Sequence, residues 1–487
     1  MLRHPFLSVI AAATLALSAP ALAAADDWSA RTAADARAFH AEQRENHPGP
    51  VNPADPGFSA MLDAALARAL ARAATVSTPG GYAATLREMV AGFNDGHMYL
   101  GFTDKLPLVT SWPGFVAAWR DGQLTVTHVE PSVAAPALGD RVISCDGRDV
   151  AALEAELVAP WYGNWALVAQ RERQGYRVFL DPENPFVRRP GSCRFAGVGG
   201  EREVSLAWRP APKTIRTIVA KANASERAPF EVRRFGDNLW ISAGSFQAEA
   251  KPADTALPAL ITSLKAEAAF ARNAPIVVLD LRGNGGGSSD WGLQMARILW
   301  GDAAIERADY DSSAEVHVDW RPSAANIAAL AEFCTPLIAN PAKASPDIIA
   351  WCNMGLDGMR SARAHNETLW REPDPPRGAP PPATPPLRTR PTFVLVDGAC
   401  GSACLDTVDL WTALGARVIG RTTNADSNYM EVRSVTTPSG HAEFSVPMKV
   451  YSGRPRGSGV PVEPVHRFDG NMGDTKALEA WVRTLAP

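Results

Sequence analysis

Two uninterrupted apolar runs, "APIVVLDL" (Ala274 to Leu281) and "TFVLVDG" (Thr392 to Gly398), do most to limit what this chain can fold into. A strand with no polar alternation must be covered on both faces, as in the parallel sheets of α/β proteins. Each run leads through a glycine-containing turn into a helical pattern, "WGLQMARILW" after the first and Ala403 to Leu414 after the second. "LWISAGSF", with a helix over Ala253 to Ala271 behind it, and "ARVIGRTT" add further strands. The expected class is therefore α/β, multidomain, with a mostly parallel sheet.

Other regions read differently. Ala30 to Phe93 is rich in Ala, Leu and Arg at helical spacing, as in "FSAMLDAALARALARAATV". Lys105 to Pro210 carries short alternating runs such as "GQLTVTHV", "DRVISCDG" and "REVSLAWR" between turn residues, which predicts a small β-rich module. Gly301 to Arg390 holds helix-like pieces and ends in "PDPPRGAPPPATPPLRTRP", a proline density that only an extended surface connection tolerates. At 487 residues, the chain divides as a signal segment (1–25), a helical region (26–104), the β-rich module (105–212) and an α/β core (213–487) with an insertion at 301–390. There is no internal repeat.

The first residues combine Arg3, an apolar stretch from Phe6 to Leu17 and the small-residue site Ala21-Leu22-Ala23, the pattern of a cleaved secretory signal. The apolar stretch is shorter than the ~20 residues of a membrane span. The reading is an exported, periplasmic or secreted protein without a stable span. A net charge of -4 with 21% charged residues gives no global attraction to nucleic acid. In an oxidising compartment the six cysteines invite pairing, and six allow fifteen connectivities. Sequence proximity suggests Cys145 with Cys193, Cys334 with Cys352, and by elimination Cys400 with Cys404; free buried thiols are the alternative.

Chemistry concentrates at the two turns. "DLRGNGGGSSD", Asp280 to Asp290, places consecutive glycines whose N–H groups can approach an anion or oxyanion closely. It fits neither the Walker A nor the G-x-G-x-x-G pattern, and a plain tight turn is the bland reading. In "DGACGSACLD", Ser402 sits at a strand-to-helix turn, where it is either a nucleophile beside free helix amides or a capping hydroxyl. Cys400 or Cys404 as an activated thiolate is the other nucleophile to weigh. A serine needs a base. His97 in "FNDGHMYLG" stands out where a helical region turns into a strand, with His47, His441 and His466 as competitors. No metal-ligand spacing and no cofactor signature emerges.

The combination "HPGP", "DGHMYL", "GDRVISCDG", "APIVVLDLRGNGGGSSD", "PTFVLVDGACGSACLD" and "GVPVEP", in that order, resembles the tail-specific protease family of serine peptidases, S41. The resemblance spans most of the chain outside 301–390 and implies a ClpP/crotonase-like α/β core. It puts the nucleophile on Ser402 and the oxyanion donors on the N–H groups of Gly286 or Gly287 and of Ala403. One branch of the family uses a lysine base about 25 residues after the serine, but "GRTTNADSNYM" here holds none. The tricorn branch uses a histidine at a DGH-like position, so His97 inherits that role. Glu463 in "GVPVEPVH" matches a glutamate of that branch as the orienting carboxylate, with Asp95 the local alternative. Two positions depart from the pattern: Gly96 replaces a serine beside the histidine, and Leu405 replaces a glutamate after the "SA" dipeptide.

"PSVAAPALGDRVISCDGRDV" is similar to part of a PDZ domain, a module that adds a chain end to a sheet edge. The stretch Trp161 to Arg189 exceeds a minimal module, which predicts an altered or blocked groove. The resemblance thus implies an exported serine endopeptidase acting on peptides or proteins, selected in part by their C-termini. The alternative is a silent S41 scaffold that binds a peptide or apolar ligand.

Overall fold

A six-stranded sheet runs in the order Phe230–Phe235, Asn238–Ala243, Val277–Asp280, Thr392–Val396, Arg417–Gly420 and His466–Arg467. The first pair is antiparallel and every later pair parallel, as the apolar runs predicted. Val277–Asp280 and Thr392–Val396 are buried at every position. This computed structural model describes residues 27–485 apart from 121, 224–226, 249–250, 313–314, 342–345, 375–377 and 383, so the expected signal segment lies outside the described residues.

Helices cover both faces of the sheet. On one, Leu257 and Leu264 of Ala253–Ala266, Met295 and Leu299 of Asp290–Trp300, and Trp411 of Ala403–Ala413 share a core with Ile241, Leu279 and Val394. On the other, Leu478 and Val482 of the C-terminal helix Thr475–Leu485 pack on Trp240, Val278, Phe393 and Ile419. Each such buried side chain contributes roughly 1.5–3 kcal/mol of transfer free energy. The functional consequence lies at the sheet's carboxyl edge, where the segments after three adjacent parallel strands (281–289, 397–402 and 421–428) emerge side by side.

The helical N-terminal region forms as expected, with helices Trp28–Asn46, Phe58–Ala73 and Pro79–Ala91. It does not stand alone. Phe39, Phe58, Leu62 and Tyr82 share one core with Ala442, Phe444 and Val446 of a long strand, Ala442–Ser452. That strand centres a second, antiparallel sheet with Leu100–Phe102, Tyr429–Thr436, His317–Trp320 and Trp370–Arg371. The 301–390 segment is thus woven into this sheet through His317–Trp320. Its two long helices, Ala324–Ala339 and Pro346–Ala364, are tied by Cys334–Cys352.

The β-rich module is a six-stranded antiparallel sheet over Phe115–Ser205 with helix Val150–Leu157 against it. Cys145 and Cys193 face each other in register and are bonded. Cys400 and Cys404 are bonded too, Cα atoms 5.4 Å apart, so all three proximity pairs form. No described cysteine is free, which removes the thiolate nucleophile.

Glu154 is buried in this module, where it accepts a hydrogen bond from Trp119 Nε1 at 2.7 Å. Burial pushes its carboxyl up to about 7, the Trp119 bond opposing in part. Folded Glu154 therefore keeps a proton that the unfolded chain has released, so stability falls as pH rises from about 4.5 to about 7. The expected loss is on the order of 2 kcal/mol. Thermal unfolding of the full chain at pH 5 and pH 8 should therefore show Glu154→Gln losing less stability than wild type at the higher pH; equal losses refute the assignment.

Candidate active site

Ser402 is where the chain turns from Thr392–Val396 into helix Ala403–Ala413. It holds φ 54° and ψ −130°, a left-handed conformation that a side chain occupies only under constraint. It stands in the N-cap position, yet its hydroxyl makes no capping bond. Its carbonyl instead receives the amides of Leu405 (2.7 Å) and Asp406 (3.1 Å). The first-turn amides of a helix have no intrahelical acceptor; Cys404, Leu405 and Asp406 find theirs in the turn, which leaves the Ala403 N–H beside Ser402. The Cys400–Cys404 bridge closes around this turn.

The glycine-rich turn is pressed against it. A Cβ on Gly286 would lie 2.8 Å from Ser402 Cβ and 3.1 Å from Ala403 N, so only glycine permits the approach. Gly286 and Gly287 have φ of 100° and 133°. The Gly286 N–H is taken by Asn284 Oδ1 at 2.8 Å, whereas the Gly286 carbonyl accepts from Phe246 N. Because that peptide is trans, the Gly287 N–H points the opposite way, free of this pairing. Of the two glycine amides considered from sequence, Gly287 is the available one.

Neighbouring groups fix both turns. Half-buried Asp397 accepts Gly283 N–H (3.0 Å) with one oxygen and Ala399 N–H (2.9 Å) with the other, tying the two turns together. Arg282 forms a buried pair with Asp280 and donates to Thr475 Oγ1. In "DLRGN" the charged residues are thus structural, and the glycines carry the approach to Ser402.

His97 follows helix Pro79–Ala91 in a turn whose carboxylate is Asp95. Asp95 Oδ1 accepts the His97 backbone N–H at 2.8 Å and lies 3.9 Å from His97 Nδ1, while Ser427 Oγ donates to Oδ2 at 2.8 Å. His97 Nδ1 is buried with no hydrogen-bond partner, so a small ring adjustment gives it to Asp95. Burial raises the Asp95 carboxyl and the nearby imidazole opposes that shift. Glu463 accepts the Thr422 hydroxyl at 2.6 Å. Asp95 is therefore the carboxylate in contact with His97, and Glu463 is engaged on the adjoining loop. Gly96, in place of a serine, packs near the Ala425 carbonyl.

The other histidines are occupied elsewhere. His47 is buried, stacked on Phe58 with ring centroids 4.4 Å apart, and burial lowers it to about 3. His441 packs on Trp28 and Tyr82, and His466 sits in the edge strand of the core sheet.

The segment 421–428 joins these parts and was not singled out from sequence. Thr422 holds Glu463, Asn424 approaches Gly401, Ala425 faces Gly96, and Ser427 holds Asp95. Asp426 pairs with Arg456, which also reaches Asp409 on the nucleophile helix. The stretch Trp161 to Arg189 closes the arrangement from the module side: Gln170 donates to Asn424 Oδ1 (3.1 Å), and Ala169 packs on Gly398. The missed residues Asp397, Thr422, Asn424 and Ser427 carried one faint signal, their place just beyond apolar strands.

Residues 242–452 match the model of peptidase family S41. Among solved structures, mature CPAF complexed with lactacystin superposes with a TM-score of 0.60 at 14% identity, covering 94% of this chain and 98% of that one. A CPAF serine-to-alanine mutant superposes with a TM-score of 0.60 at 13% identity, covering 94% and 97%. At that identity these likenesses show a shared fold. No curated protein matches the chain. A parallel sheet with a serine turn against a glycine turn defines a hydrolase-type site. Over residues 242–452, a little under half of its length, the chain is thus similar to peptidase family S41, and that likeness supports a serine-type peptidase.

Proposed function

We propose that the protein is an exported endopeptidase in which Ser402 attacks the peptide carbonyl, His97 takes and returns the proton, and the Ala403 and Gly287 amides hold the oxyanion. The observation that carries this reading is the strained Ser402, uncapping and packed on Gly286. A hydroxyl constrained in that conformation, beside a helix N-terminus, is preorganised for attack. Asp95 orients His97 and Glu463 braces the loop through Thr422. Export is supported by the three disulfides, which persist in oxidising compartments. The module's likeness to PDZ domains rests on "GDRVISCDG", and selection of substrate C-termini extends that likeness.

A fluorophosphonate probe tests the reading. One equivalent is expected on Ser402 by peptide mapping, with parallel loss of cleavage of an unfolded protein. Absence of label, or label elsewhere with activity intact, refutes it. Because lactacystin is bound by CPAF, protection of Ser402 by that compound is a second readout.

A further inference from the structure

A cavity of about 590 Å³ opens between the module and the core, walled in part by Gly283 and by Asp397 to Ala399, the entries to the two active-site turns. Seven arginines line it against two carboxylates, Glu172 and Asp397. Both carboxylates are committed. Asp397 accepts the Gly283 and Ala399 amides, and Glu172 faces Arg421 at 3.9 Å and Arg467 at 3.5 Å.

Several of these arginines are held by aromatic rings and carbonyl groups more than by carboxylates: Arg421, which faces Glu172, also donates to the Asp469 and Gly470 carbonyls, and Arg177 donates to Gln174 Oε1. Arg87 and Arg177 lie over the same Tyr162 ring, at 5.1 and 3.9 Å, with Phe102 and Tyr176 on their other sides. Arg87 Nη1 and Arg421 Nε are buried without a hydrogen-bond partner. Burial lowers the Arg87 pKa, and the neighbouring Arg177 charge acts in the same direction. Exposed Arg173 and Arg216 complete the rim; Arg173 donates to the Gly398 carbonyl at 3.4 Å and its charge acts on Asp397 from a distance, and among the described residues neither arginine has a carboxylate within 4 Å. A solvated arginine face would leave its donors in water; buried donors without acceptors call for an anion. Guanidinium forks suit a carboxylate in particular.

We infer that this cavity is the subsite for an acidic side chain, Asp or Glu, of the peptide substrate. Ala399 lies three residues before Ser402. At ~3.3 Å per residue, an extended substrate crossing Ser402 reaches the cavity within about two to four residues of the bond cut. The inference rests on the peptidase reading, and the experiment separates the two.

Peptides amidated at their C-termini, paired as Glu or Gln at each of the four positions on either side of the cleaved bond, are compared by kcat/KM. Glu is expected to be preferred about ten- to a hundredfold at one position, less so at high salt. The ratio is expected to fall towards one in Arg173→Ala/Arg216→Ala, whose exposed positions leave folding intact. A fluorescent Glu peptide is expected to bind Ser402→Ala protein more tightly than its Gln partner, by a similar factor. If wild type cuts nothing while that binding difference stands, the hydrolytic reading fails and the cavity assignment survives. Equal kcat/KM and equal Kd for every pair, a ratio unchanged in the double variant, or a preference that appears only with a free terminal carboxylate each overturn the inference.

Discussion

Ser402→Ala abolishes turnover, lowering kcat by at least about 10⁴-fold, with no loss of folded protein. The size follows from chemistry: without the hydroxyl there is no covalent step, and the oxyanion donors alone retain only residual rate enhancement. The intact fold follows from geometry. The hydroxyl makes no capping bond, so its removal orphans no amide, and alanine keeps the Cβ that already packs on Gly286. Stability is expected to change by no more than a neutral surface substitution does, about 0.5 kcal/mol. Ser402→Gly, which relieves the left-handed conformation, is expected to melt no lower than Ser402→Ala. Cleavage of an unfolded protein together with thermal unfolding gives both answers; turnover retained by Ser402→Ala sinks the assignment.

The second large effect belongs to Asp95→Asn, for which a loss of about 10³- to 10⁴-fold in kcat is expected. An amide keeps the size of the carboxylate but cannot stabilise the imidazolium that the proposed proton transfer from Ser402 would form. Glu463→Gln is expected to lose less, because that carboxylate accepts from Thr422 while Asp95 lies beside His97 Nδ1. The reverse ranking would return the orienting role to Glu463. Because burial holds the Asp95 carboxyl above its usual range, protonation begins at higher pH than for an exposed aspartate. Activity is accordingly lost as pH falls through that raised value, an acid limb that Asp95→Asn removes; a limb unchanged in the variant contradicts the pairing.

The parallel sheet was legible because a strand buried on both faces has no polar alternation, and Val277–Asp280 and Thr392–Val396 show that directly. Ser402 and the glycine turn were legible because their demands are local: a turn at a strand end and residues without a Cβ. The bridges were legible since each pair is close in sequence or in register. What stayed hidden is long-range. Asp95 and Ser427 are 332 positions apart and Gln170 and Asn424 are 254 apart, and no periodicity encodes such contacts. Trp161 to Arg189 was read as surplus to the module, yet it docks on the active-site loops, because its partners lie in a different part of the chain.

The loop 421–428 has a consequence for the order of events in folding. It leaves the core sheet, holds Asp95 from the N-terminal region and approaches the nucleophile turn, so on the proposed mechanism the base and the nucleophile are assembled only after distant parts of the chain have come together. Closing so long a span is entropically slow relative to forming local helices and turns. A nascent or half-folded chain carries the serine without its histidine. On the proposed pairing, a growing chain is therefore expected to gain activity only once its early and late parts have packed together.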